Sequence, residues 1–271
     1  PGSVDGLPGP RTRSAVVEFQ RDHGLLADGI AGPRTLHALR IALEEMRETR
    51  EEPPAPPAEP LREEARGASL PLEHLRRAVL AAGHSWPASP GPVHIIGVRG
   101  WRRGAAVENR LDEYNDTICL AVQAAPGPAG GEPDGPAVEE FPASVDPGRL
   151  REPNPKGTAH LLPGRYEYRL GLHRGREPAL VQAGPVTVLR YFDEDTRGLA
   201  PQRESGWFGI NIHRGGRGTH VGAWSAGCQV IRGEVWARFL ERVRAASDAG
   251  QEIFPYTLLE GRNLEVSFKA G

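Results

Sequence analysis

Trp207-Phe208-Gly209-Ile210-Asn211-Ile212-His213, followed after a short glycine-rich stretch by Trp224-Ser225-Ala226-Gly227-Cys228-Gln229, decides how the larger part of this chain reads. The first run alternates like a half-buried strand and closes on a histidine. Fifteen residues after His213, Cys228 leaves a small-residue turn in which backbone N–H groups can face a developing oxyanion. A thiol needs a neighbouring imidazole to become nucleophilic near neutral pH. The pair His213 and Cys228 therefore implies cleavage or exchange of acyl groups, with His220 as the competing base.

Around this segment the pattern is that of a mainly β domain. Strands are expected at Val93 to Val98, Thr117 to Gln123, Tyr166 to His173, Val186 to Phe192, Phe208 to His213 and Leu264 to Phe268, separated by Gly, Pro and Asp turns. One late helix is expected between Gly233 and Ser247, where Val235, Trp236, Phe239, Leu240 and Val243 repeat at helical spacing. Another short helix precedes the strands, with Ser69 as N-cap, Leu72, Leu75 and Val79 on one face, and Gly83 ending it. The fold class is a β-sandwich or open barrel with a late helix.

The N-terminus carries an internal repeat. Asp5-Gly6-Leu7-Pro8-Gly9-Pro10-Arg11-Thr12 returns as Asp28-Gly29-Ile30-Ala31-Gly32-Pro33-Arg34-Thr35, 23 residues on. In each copy Asp-Gly supplies a turn and Gly-Pro places proline at the first helical position, where its missing N–H is harmless. Ala15, Val16 and Phe19 after the first copy, and Leu36, Leu39 and Leu43 after the second, are expected to share a small core with Leu25 and Ile30. Glu51-Glu52-Pro53-Pro54-Ala55-Pro56-Pro57-Ala58-Glu59-Pro60 reads as a semi-rigid polyproline spacer. The resulting plan is a small all-α module over 1–46, a linker over 47–68 and a catalytic domain over 69–271 with its core from about residue 93.

The repeat and the Ala15-Val16-Val17-Glu18-Phe19-Gln20 helix resemble the helical peptidoglycan-binding domain of cell-wall enzymes. That family's first helix would precede Val4, so a partial module is expected. His213 with Ser225-Ala226-Gly227-Cys228 resembles the L,D-transpeptidases, whose pattern is His, a loop, then Ser or Thr, His, Gly and Cys. This resemblance implies Cys228 as nucleophile, His213 as general base, Ser225 as the motif hydroxyl, Gly227 and Cys228 as oxyanion donors, and the Arg214 carbonyl as the group that orients the imidazole. Trp207, Gly209, Arg217 and Trp224 are assigned to substrate binding. Ala226 stands where the family carries a second histidine, and Val230 where it usually has Arg or Asn. The chain is also similar, from about Ile96 to Gly261, to a bacterial group of unassigned activity with the same aromatic-Phe-Gly-Ile-Asn-Ile-His and Trp-Ser-Ala-Gly-Cys-Gln signature. The implied function is a cysteine acyltransferase acting on peptidoglycan stem peptides; the alternatives are a cysteine carboxypeptidase or endopeptidase of wall peptides, or a non-catalytic wall-binding protein. The implied location is the cell envelope, periplasmic or secreted, and the implied partners are peptidoglycan peptide and glycan.

Composition narrows the field. With 38% hydrophobic residues, 34 Gly and 26 Pro in 271 residues, short strands and many turns are expected. A net charge of -2 gives no pull toward nucleic acid or anionic membrane. No apolar run reaches the roughly 18 residues of a membrane span. The chain starts Pro1-Gly2-Ser3 without a charged-then-apolar leader, as after processing or omission of a signal peptide, and export is neither implied nor excluded by this start. Cys119, inside an apolar run, reads as a small buried hydrophobe rather than a disulfide partner of Cys228. No cofactor is expected, and no metal, since the spacing of zinc ligands is missing. Asp193-Glu194-Asp195-Thr196-Arg197-Gly198 reads as a solvated turn, Gly215-Gly216-Arg217-Gly218 as a flexible active-site loop, and His94, His160 and His173 as structural. Arg99, Arg214 and Arg217 are available in sequence to meet stem-peptide carboxylates.

Overall fold

The computed structural model describes residues 9–22, 26–33, 35, 36, 39, 70–87, 91–122, 137–148, 158–191 and 202–269. Two compact units divide the chain, Pro1–Arg62 and Glu63–Gly271. The expected spacer over 47–68, the Ser69 cap, the turn at 193–198 and the positions of Leu25 and Leu43 lie outside the described residues.

In the first unit, α1 (Pro10–Asp22) opens on proline, and Arg13 N–H donates to the Gly9 carbonyl at 3.0 Å. The second copy repeats this bond 23 residues later, where Leu36 N–H donates to the Gly32 carbonyl at 2.9 Å. The repeat is thus structural as well as textual. Its centre differs from the expected apolar one. Gln20 and Thr35 are buried, whereas Ile30 and Leu36 are 62% and 54% exposed. The Gln20 amide explains this: its Nε2 donates to Asp28 Oδ1 (2.8 Å), the Ile30 carbonyl (2.9 Å) and Thr35 Oγ1 (3.0 Å), and its Oε1 accepts from Gly29 N–H (2.8 Å). One polar side chain satisfies the turn that an apolar contact was expected to hold.

The second unit is built on a closed eight-stranded barrel. Its strands are β1 (Val93–Arg99), β4 (Asp116–Val122), β5 (Val138–Ser144), β7 (Gly164–His173), β8 (Glu177–Gln182), β11 (Ile212–Arg214), β12 (Gln229–Ile231) and β13 (Phe254–Glu260), in the order β1-β13-β7-β8-β11-β12-β5-β4. The β1–β13 and β11–β12 pairs are parallel and the others antiparallel. A three-stranded sheet, β10 (Gln202–Gly206), β9 (Val186–Tyr191) and β6 (Thr158–Leu161), and a small hairpin of β2 (Trp101–Arg102) with β3 (Ala105–Ala106) complete the β structure.

Period-two alternation separates two cores. Ile95, Ile118, Leu120, Phe254, Tyr256 and Leu258 turn inward, where α3 (Trp236–Asp248) adds Trp236, Phe239, Leu240 and Val243. Ile96, Val98, Cys119, Ala121 and Leu259 turn outward under α2 (Leu72–Ala81) and α4 (Gly261–Lys269). With both faces covered, β1 is buried along its whole length. Gly97 leaves room for the Tyr256 hydroxyl, which a Cβ there would strike.

Two expected strands are corrected. Residues 208–211 do not pair as a strand: the Gln182 side-chain carbonyl accepts from Phe208 N–H (3.1 Å) and Ile210 N–H (2.8 Å), standing in for a neighbouring strand, and only Ile212–Arg214 joins the barrel. Leu264–Phe268 is helical within α4. Leu264 and Phe268 are four apart as well as an even number apart, so their spacing fits both periods.

Candidate active site

Parallel pairing of β11 with β12 brings His213 and Cys228 together. Ile212 pairs with Gln229 and His213 with Val230, so Asn211 falls beside Cys228. Asn211 N–H donates to Cys228 Sγ at 3.5 Å, and the thiol donates to the Gly209 carbonyl at 3.4 Å. His213 is 3% exposed. Its Nδ1–H donates to the Arg214 carbonyl at 2.7 Å. Its Nε2 is buried and has no hydrogen-bond partner among the described residues. A third group joins them: the His173 ring, at the end of β7, stacks on His213 with centroids 4.1 Å apart and planes 19° apart. One nitrogen of each histidine and Cys228 Sγ all lie within 4.8 Å of one another, the side-chain set of a potential metal ligand cluster.

The turn that carries Cys228 is latched from three sides. Ser225 Oγ donates to the Cys228 carbonyl at 2.7 Å and accepts from Gly227 N–H at 3.0 Å. Gly148 N–H and Ala159 N–H donate to the carbonyls of Ser225 and Ala226 at 2.9 and 3.0 Å. Gln229 Nε2 donates to the Gly227 carbonyl at 3.2 Å, while Gln229 Oε1 accepts from Tyr256 Oη–H at 2.9 Å, linking the turn to the barrel core. Gly227 has φ +151, and a Cβ there would lie 2.6 Å from the Ala159 carbonyl oxygen, so the position requires glycine twice over. Because Gly227 N–H is taken by Ser225, the two-donor oxyanion arrangement is not free in this state.

Electrostatics favour a neutral resting pair. Burial holds His213 well below the ordinary imidazole range, His173 and Arg174 push the same way, and the Arg214 carbonyl opposes them. Burial also raises the Cys228 thiol, opposed by Asn211 N–H and by the charge of Arg174. Cys228 is half-buried by surface area, so its desolvation is weaker than that of fully buried Cys119. Neither cysteine is in a disulfide. The imidazole can therefore accept a proton, while a standing thiolate–imidazolium pair is not favoured before substrate arrives.

The other expected residues divide. Trp207 is 66% exposed, two residues before Gly209, which takes φ +72 with open space beside its Cα. Trp224, in a 3-10 turn at Gly222–Trp224, is half-buried, with the Arg214 guanidinium 5.5 Å above its ring. Arg217 is exposed, and its carbonyl accepts from Arg232 at 3.1 Å. His220 is set apart: its side chain is 69% exposed and lies 3.6 Å from Asp112. The glycine-rich loop is pinned at its start, with Gly215 N–H on the Ile231 carbonyl (2.7 Å) and Gly233 N–H on the Gly216 carbonyl (3.0 Å). Arg99 is corrected from a substrate-facing to an internal role. It is buried, with Nε on Asp146 (3.1 Å), NH1 on Glu260 (2.8 Å) and NH2 on the Leu161 carbonyl (2.8 Å).

The sequence does not single out His173, Asn211 or Arg174 for this site. His173, expected to be structural, stands 40 residues from His213 without partner spacing, and the β7-β8-β11 path closes that gap. Arg174 takes φ 51 in the β7–β8 turn, a left-handed conformation the sequence does not advertise.

Residues 1–39 match the model of the peptidoglycan binding domain family. Over 38 residues the chain is 53% identical to the N-acetylmuramoyl-L-alanine amidase CwlM of Mycobacterium tuberculosis, a match covering 14% of this chain and 9% of that protein. Over 37 residues it is 51% identical to the zinc D-Ala-D-Ala carboxypeptidase of Streptomyces albus G, covering 14% of each. The chain thus spans only a small part of the curated relatives it matches. A solved structure of the L,D-transpeptidase from Xylanimonas cellulosilytica aligns over 95% of this chain and 85% of its own at 15% identity, with a TM-score of 0.26. The N-terminal segment thus carries a peptidoglycan-binding domain.

Proposed function

We propose that the chain is a peptidoglycan-modifying cysteine acyltransferase acting on stem peptides. The observation that carries this reading is the buried Nε2 of His213, without a hydrogen-bond partner among the described residues, on a ring whose Nδ1 is locked on the Arg214 carbonyl and which has one nitrogen within 4.8 Å of Cys228 Sγ. A locked Nδ1–H leaves the lone pair on Nε2, the state a general base needs. The wall-binding segment supplies the substrate class.

In the first step His213 Nε2 takes the thiol proton as Sγ bonds to the carbonyl carbon of an L,D peptide bond. Collapse of the tetrahedral intermediate breaks the C–N bond, the proton passes to the leaving amine, and D-alanine departs from a Cys228 thioester. In the second step an amine of a neighbouring stem loses its proton to His213 and attacks the thioester. The C–S bond breaks and the thiol is reprotonated. Cys228 N–H is the donor placed to stabilise the oxyanion in both steps. The Arg174 charge favours sulfur as it becomes anionic.

Water in place of the amine would make the protein a carboxypeptidase with the same residues. Acid quenching of the protein with a disaccharide-tetrapeptide, followed by peptide mass spectrometry, tests the reading. An acyl adduct on Cys228 supports it, and an unmodified Cys228 at every quench time removes it in favour of a wall-binding protein.

A further inference from the structure

His173, His213 and Cys228 have the composition of a metal site, but the hydrogen bonds behind the two histidines differ. A metal-ligating imidazole donates its other ring N–H to an acceptor, which leaves the ligating nitrogen with a lone pair. His213 meets this condition through the Arg214 carbonyl. His173 does not. Its Nδ1 lies 2.9 Å from Asn211 Nδ2, which carries only donor hydrogens. The amide is oriented from its other end by a long contact, in which Asn211 Oδ1 accepts from Gln182 N–H at 3.4 Å. Turning the amide over would set an NH2 group against that N–H.

The lone pair of His173 Nδ1 is therefore engaged by Asn211, and its Nε2 carries the proton in the neutral ring. Neither nitrogen of His173 can ligate without breaking the Asn211 contact. The same Asn211 donates its backbone N–H to Cys228 Sγ. One residue thus touches both the sulfur and the second imidazole.

We propose that Asn211 fixes His173 as an Nε2–H donor, so that His173 serves the thiol site as a positioning residue stacked on His213 and cannot join His213 and Cys228 in holding a metal ion. This assignment rests on the reading of Cys228 and His213 as nucleophile and base. A thiol beside two imidazoles would otherwise compete for zinc, which takes up the sulfur and the base lone pair together. Position 226, two residues before Cys228, is an alanine, and His173 supplies an imidazole to the same site from β7.

The test uses the whole chain labelled with nitrogen-15 at histidine, with the His173 signals assigned by His173→Gln. Long-range proton–nitrogen spectra are expected to show His173 protonated on Nε2 and His213 on Nδ1. A His173 proton on Nδ1 would overturn the proposal. The second arm titrates zinc chloride into wild type and Asn211→Asp. The carboxylate accepts from Nδ1–H and still receives Gln182 N–H, so the variant is expected to bind zinc at least tenfold more tightly and to lose that gain when Cys228→Ala is added. Equal zinc affinity in wild type and Asn211→Asp, with the variant's circular dichroism unchanged, would overturn it. Neither arm requires turnover. If the acyl-transfer reading fails, Cys228 forms no adduct while the tautomers and the zinc difference persist.

Discussion

The Nδ1–H of His213 and the carbonyl oxygen of Arg214 meet at 2.7 Å, and this bond decides which ring nitrogen is left for the thiol. Replacing His213 by Gln keeps a polar side chain but removes the proposed base. Stem-peptide turnover is expected to fall about a hundredfold or more, the usual range for loss of a general base. His220→Gln should stay within about twofold of wild type, since His220 faces Asp112 at an exposed position. Steady-state rates of the two variants, measured side by side, check the assignment; a larger loss from His220→Gln would reverse it.

A raised thiol and a lowered imidazole make a distinct pH signature. Both groups are neutral near pH 7, so iodoacetamide should alkylate Cys228 slowly there and faster as pH climbs past the ordinary thiol value of about 8.5. A pre-formed ion pair would instead give a fast, flat rate down to about pH 5. Because the resting thiol is neutral by either reading of the site, slow alkylation does not by itself mark a binding protein.

The turn that carries Cys228 admits no side chain at Gly227. Gly227→Ala must clear the Ala159 carbonyl and leave its φ of +151, so it should lower the melting temperature by several degrees and abolish turnover. Ser225→Ala removes both latch bonds, to Gly227 N–H and the Cys228 carbonyl, with an expected cost of about 1–3 kcal/mol and a smaller rate loss than Gly227→Ala. Thermal melts and rates on the same samples separate the two effects.

His94 gives the fold an acid limb. It is buried against Trp86 with Nε2 2.9 Å from Thr257 Oγ1, and burial, with the nearby charges of Arg165 and His84, lowers its pKa to about 4. Below about pH 6.5 the unfolded chain takes up a proton that the folded chain refuses, so stability from this group is present above pH 6.5 and is lost as pH falls toward 4. The loss is on the order of 2–3 kcal/mol. Urea unfolding at pH 7.5 and 4.5 should show a shallower acid decline in His94→Gln than in wild type, the remaining carboxylates and His213 being common to both.

The helix at 236–248 and the strands at 93–99, 116–122 and 164–173 were legible because apolar residues there repeat with one clear period. Phe254–Glu260 was missed because Pro255 reads as a strand breaker, and Val138–Ser144 because Glu139, Glu140 and Pro142 hide its alternation. In both, partner strands on two sides override local propensity. At the site, His213 and Cys228 were readable from one short stretch. His173 was not, since it reaches them only through the folding of β7 and β8 against β11, and the amide that fixes its proton comes from Asn211, whose alternation alone announced nothing but a strand.

Acyl chemistry at Cys228 is tested by mass spectrometry of purified disaccharide-tetrapeptide muropeptides after incubation with wild type and Cys228→Ala. Loss of terminal D-alanine is expected with wild type alone, accompanied by cross-linked dimers. Tripeptide without dimers would make the protein a carboxypeptidase on the same residues. Unchanged tetrapeptide in both samples, or equal conversion by Cys228→Ala, would contradict acyl chemistry at Cys228.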